Sequence, residues 1–213
     1  MVSRTKAKSN LARRSDGDNV DVSMKAVESP AQPMSGVPLW PLSVDAYHAL
    51  GEAGLIPKNT ELLYGFVYRK MSKSPYHSYL VQILHDLVVH ACGGNFLVRT
   101  EQPITCLDSE PEPDVAIVKG SNENFRHEHP RTAELVIEVC ISSHDYDRSK
   151  LRAYASAGVK ECWLILGPEK QIEVHRQPSG ESFSECVVHG PGGKLLCAAI
   201  PEFSVDLDAF FAK

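Results

Sequence analysis

The six cysteines include no C-x-x-C pair, no apolar run approaches the roughly 18 residues of a membrane helix, and no glycine-rich phosphate loop is present. Each absence excludes a class. Cys92, Cys106, Cys140, Cys162, Cys186 and Cys197 are scattered, which argues against a zinc site or a disulfide framework and for reduced cysteines serving as small hydrophobic residues. Without G-x-G-x-x-G or a P-loop there is no dinucleotide or nucleoside-triphosphate fingerprint. The N-terminus, MVSRTKAKSNLARRSDGD, lacks the apolar centre of a secretory signal, so a cytoplasmic location and no membrane partner are expected. Positive charge is also scarce. Against 27 acidic residues stand 22 basic ones, for a net charge of -5; six of the basic residues lie in the first 35 positions, and beyond them the balance is 16 to 23. A nucleic-acid role therefore needs a local patch rather than a basic surface.

What is present divides the chain in two. Residues 1–37 are rich in Ser, Pro, Asp and Lys without apolar periodicity, and SPAQPMSGVP leads from them into the rest of the chain, which reads as a disordered basic and polar tail with its linker. Residues 38–213 read as one folded domain. Ser43 suits the N-cap of a short helix through VDAYHALGEAG, and ELLYGFVYRKM has the character of a strand pair bent at Gly65. After Ser74 and Pro75, Leu80, Ile83, Leu84, Leu87 and Val88 recur at the spacing of one helical face. The segments NFLVRT, PDVAIV, AELVIEVCI, CWLILG, IEVHRQ and FSECVV read as strands, with a helix at about Tyr146 to Ala157 and a hairpin turn at GPEK. PGGK at Pro191 reads as a turn. The order predicts an α/β protein with a mixed β-sheet core flanked by helices.

The most informative residue is Glu138, an acid inside the apolar run ELVIEVCI. An ionised carboxylate in a buried strand is expensive unless it is paired, neutralised or bound to a metal. Asp114, opening DVAIV on a candidate neighbouring strand, can reach the same sheet edge. Asp114, Glu138 and the carbonyl of Val139 supply the oxygen donors that a hard divalent ion prefers. Lys150, in DRSKLRAY, falls in the first turn or so of the following helix, where the macrodipole disfavours a cation by about 0.3 to 1 kcal/mol; an ammonium aimed at those carboxylates can orient water and stabilise charge on a phosphoryl group. Asp147 is its local alternative partner. His85 and His90 do not share a helix face, His127 and His129 fall in a loop, and Ser142 and Ser143 have only His144 nearby, so neither a histidine metal pair nor a serine-nucleophile hydrolase is indicated.

PEPDVAIV, then LVIEVCISSHDYDRSKLRAYASAGVKECWLI, then IEVHRQ closely resembles the Uma-two family of restriction-endonuclease-like proteins, a branch of the PD-(D/E)XK nuclease superfamily. The resemblance covers about residues 39–210. It implies a restriction-endonuclease-like fold in which Asp114 and Glu138 hold magnesium or manganese and Lys150 completes the active site. In the simplest superfamily motif the lysine lies two residues after the acid, where this chain has Cys140; the family pattern instead displaces it onto the next helix. Glu61 in ELLYG matches the acid of the family's N-terminal strand, although Tyr64, Gly65 and Phe66 stand where relatives often read Asp-Gly-Glu. His77 in SPYH matches a frequent helix start and is the expected substrate contact.

These readings converge on a metal-dependent endonuclease acting on DNA, with Asp114, Glu138, Lys150 and Glu61 as the catalytic set. A homodimer is expected because cutting two strands favours two sites. The alternative is a non-catalytic nucleic-acid-binding or assembly module that keeps the nuclease fold, which the low basic content favours. A two-carboxylate glycosidase ranks below both because it leaves Lys150 without a task.

Overall fold

A computed structural model describes residues 38–142 and 144–212; the tail expected over residues 1–37, and Ser143, lie outside the described residues. The Ser43 side chain accepts from the Ala46 amide and starts α1 (Val44–Glu52). A hairpin comes next, β1 (Thr60–Leu63) with β2 (Phe66–Arg69), joined by the two residues Tyr64 and Gly65 at φ 56° and 79°. Two consecutive positive φ values are what a tight hairpin turn requires. The turn is pinned from both sides, the Gly65 amide donating to Asp108 and the Leu42 amide to Gly65.

Ser74 caps α2 (Pro75–Ala91), with Pro75 at its first position, where a missing amide costs nothing. Its buried residues are Leu80, Val81, Leu84 and Val88, whereas Leu87 is 38% exposed. The sequence stripe is thus rotated: Leu80, Leu84 and Val88 form its centre, and the sheet beneath selects Val81 rather than Leu87 as the flank.

The main sheet has six strands in the order β3 (Phe96–Thr100), β4 (Val115–Lys119), β5 (Leu135–Cys140), β6 (Glu161–Leu166), β7 (Gln171–Ser179) and β8 (Ser182–His189). Only β5 and β6 run parallel, and α3 (His144–Ser156) makes the connection between them. The other pairs are antiparallel. Strand alternation sends Val115, Ile117, Ile137 and Val139 toward α2, and Ala116, Val118, Val136 and Cys140 toward Ala153 and Tyr154 of α3. The fold is a mixed α/β sheet flanked by helices.

After β8 the chain adds β9 (Lys194–Leu196), β10 (Ser204–Asp206) and α4 (Leu207–Phe211). Leu195, Phe203, Val205, Leu207, Phe210 and Phe211 complete the α2-side core, with Phe203 stacked on Trp163 at 5.3 Å between ring centroids. The sequence pattern did not announce these elements, because each is short and shows no period of its own. Among the described residues no helix is long and apolar enough to cross a membrane.

Candidate active site

The register pairing Val115 with Ile137 and Ala116 with Val136, continued by one residue, sets Asp114 opposite Glu138. Directly opposed residues of an antiparallel pair project to the same face, so strand pairing alone brings the two acids together. Asp114 Oδ2 accepts from the Val139 amide at 2.8 Å and lies 3.1 Å from His77 Nε2, while Oδ1 lies 3.2 Å from Lys73 Nζ. Burial pushes the Asp114 carboxyl up, but His77, the Val139 amide and Lys73 outweigh it and leave it below its ordinary range. The Ser74 cap that fixes the first turn of α2 also positions His77 for this contact.

Glu138 is 2% exposed. Its Oε1 accepts from the Tyr154 hydroxyl at 2.5 Å and lies 3.3 Å from Lys150 Nζ. Burial raises its carboxyl to about 8, with Lys150 pulling down and Asp114, Asp147 and Glu61 pushing up. Lys150 is 4% exposed, and its ammonium lies 3.3 Å from Glu61 Oε1 and 3.8 Å from Asp147 Oδ1. It also sits over the Tyr146 ring, 5.2 Å from the centroid. Burial opposes its charge, but Glu138, Glu61 and Asp147 prevail and hold its pKa well above the ordinary lysine value.

Glu61 arrives from β1, and the tight Tyr64–Gly65 turn fixes that strand. Its Oε2 accepts from the Glu112 amide at 3.0 Å and its Oε1 from the Tyr146 hydroxyl at 2.7 Å. Asp114, Glu138, Lys150, Glu61, His77 and Val139 all border one pocket. Lys150 occupies the second turn of α3 rather than the first, because the helix begins at His144; the macrodipole cost is correspondingly smaller. Cys140 shares the Glu138 face of β5 but lies buried in the α3-side core rather than among the residues that line the pocket, and burial pushes its thiol far up. It is not in a position to replace the lysine.

Sequence reading missed three participants. Tyr154 lies four residues after Lys150, on the same helix face, a spacing that could have exposed it. Tyr146 and Lys73 meet the site through folding alone and carry no local signal.

Among the described residues no group of three or more His, Cys, Asp or Glu side chains forms a ready-made metal cluster. The donor chemistry nevertheless suits a hard ion. Glu61, Asp114, Glu138 and Asp147 border the pocket around the buried ammonium of Lys150, a surplus of negative charge made entirely of oxygen donors. One or two protein carboxylates completed by water is the usual protein contribution to a magnesium site.

Residues 45–208 match the Uma2 family, whose description is "Putative restriction endonuclease". No curated protein matches. A crystal structure described as a putative nuclease of the DUF820 group from Anabaena variabilis ATCC 29413 is similar with a TM-score of 0.68 at 16% sequence identity, covering 81% of this chain and 98% of that one. That likeness extends to the fold.

Proposed function

Because the chain belongs to the Uma2 family of restriction-endonuclease-like proteins, we propose that it is a metal-dependent endonuclease that hydrolyses DNA phosphodiester bonds in the pocket bordered by Asp114, Glu138 and Lys150. The observation that carries this reading is the position of one buried ammonium 3.3 Å from both Glu61 and Glu138, with Asp114 opposite Glu138. Asp114 and Glu138, with the Val139 carbonyl, would hold magnesium or manganese, which when bound supplies Lewis acidity and lowers the pKa of its water. The protein's own groups do the rest. Lys150, kept charged by three carboxylates, donates N–H groups that orient the nucleophile and balance charge on the phosphoryl oxygens. Glu61, steadied by Tyr146 and the Glu112 amide, stands ready as auxiliary ligand or proton acceptor. His77 holds Asp114 through Nε2 and, lining the same pocket, would contact substrate there.

Plasmid incubated with the protein and magnesium is expected to be nicked, and a chelator to stop the reaction. Asp114→Ala or Lys150→Ala should slow nicking by about 100-fold or more. Equal cutting by either variant sinks the assignment.

A second reading, a nucleic-acid-binding module that does no chemistry, is favoured by one observation: Asp114 already takes His77, Lys73 and the Val139 amide, and Glu138 Oε1 takes Tyr154 and Lys150. Titration with magnesium separates the two. An endonuclease is stabilised by the ion, whereas the module binds DNA with no response to it.

A further inference from the structure

Arg99, on β3, is 6% exposed, yet the two groups it meets are both uncharged. Its Nη2 lies 3.2 Å from His129 Nδ1, and its guanidinium carbon stands 5.6 Å from the Phe125 ring centroid. Its Nε is buried without a partner. No carboxylate among the described residues pairs with it, and burial lowers its pKa with no acid to compensate. A guanidinium held largely out of water without a counter-anion is unfavourable, and among the described residues no carboxylate answers this charge.

Phe125 and His129, the two groups Arg99 meets, both border a groove between α1 and the loop running from Phe125 to Arg131, with His48, Thr105, Arg126, His127 and Arg131 around it. An Arg99 N–H can only donate, so His129 Nδ1 must accept, and the imidazole proton resides on Nε2. His129 borders the groove, and its Nε2–H is a fixed donor. The buried acid Glu110 is already used: its Oε1 lies 2.6 Å from His48 Nε2, and Oε2 accepts from the Thr105 hydroxyl at 2.7 Å. The acids bordering the groove are Asp45 and Glu128, and Glu128 reaches Arg131 at 3.8 Å with both side chains at least 70% exposed. Such a pair is weak and easily displaced. None of the residues bordering this groove borders the pocket of Asp114 and Lys150.

We propose that this groove is a phosphate-binding subsite, in which Arg126, Arg131 and His129 Nε2–H grip a phosphate oxyanion while Arg99 supplies the buried charge and holds the His129 tautomer. Arginine forks and a neutral imidazole donor suit tetrahedral oxyanions. The phosphate comes either from a nucleic-acid backbone or from the free ion, and the two sources are separable by experiment.

The test uses the full chain in chelator, so that cleavage plays no part. Thermal unfolding is followed with inorganic phosphate and with a short DNA duplex, and duplex affinity is measured by fluorescence anisotropy, for the wild type, Arg99→Met and the double variant Arg126→Ala/Arg131→Ala. Phosphate or duplex should raise the wild-type midpoint. Arg99→Met should unfold at a higher temperature than the wild type without ligand and lose the ligand-induced rise, because it removes an uncompensated buried charge. The double variant, altered only at exposed positions, should keep the wild-type midpoint and bind about threefold to tenfold more weakly, with a shallower salt dependence. A rise with inorganic phosphate alone identifies the free ion; a rise only with duplex identifies the backbone. The proposal is overturned by a wild type that responds to neither probe, by responses unchanged in both variants, or by an Arg99→Met protein that is less stable and still binds. Loss of magnesium-dependent nicking with this binding intact would fault the endonuclease reading alone.

Discussion

Glu138 sets the terms at the scale of single residues. Burial raises its carboxyl to about 8 despite the pull of Lys150, with Asp114, Asp147 and Glu61 adding to the rise. In the metal-free protein the folded state therefore keeps a proton that the unfolded chain loses above the ordinary carboxyl value of 4.5. Stability on this account is full below that value and falls as pH rises through the folded pKa, by on the order of a few kcal/mol. Urea unfolding in chelator at about pH 5 and about pH 9 should show that decline, and Glu138→Gln should flatten it; an unchanged slope in the variant would assign the decline elsewhere. The need for company at Glu138 was legible from its apolar neighbours, and so were Asp114 and Lys150 as candidates. Tyr154 is not legible in that way, because a tyrosine among the alanines of α3 reads as ordinary core.

Among elements, the β1–β2 hairpin governs Glu61. Gly65 has φ 79°, and a Cβ added there would come within 2.2 Å of Pro41 Cβ. Gly65→Ala should thus cost about 2 to 4 kcal/mol from backbone strain and overlap together, measured as a lowered urea midpoint. If the alanine variant unfolds like the wild type, the turn is not what holds β1. Most elements of the sheet could be read in advance, since alternation and β-branched composition survive in strands such as β4, β5 and β6. The flank of α2 could not, because Val81 and Leu87 are equally apolar and only the packed sheet chooses between them. Asp114 facing Glu138 was within reach as neighbouring strands, but their opposition depends on a register that single-strand patterns do not encode.

For the whole molecule, the decisive addition is the C-terminal run through β9, β10 and α4, which closes the core over Trp163. Phe203 is fully buried and stacked on that indole, and Phe203→Ala is expected to cost about 3 to 5 kcal/mol in denaturant unfolding. A cost below about 1 kcal/mol would mean that the segment rests on the core without contributing to it. The site is assembled from a hairpin, two strands and a helix that the chain visits far apart, and the crossover through α3 has a consequence for change over time. Each residue inserted within a helix rotates the remainder of that helix by about 100°. One residue added between His144 and Lys150 would swing the ammonium off the carboxylates while leaving every strand register intact. The same turn would carry Ala153 and Tyr154 out of the core they help to fill, so a length change in that half-dozen residues would take the ammonium from the pocket and loosen the α3 side of the core together.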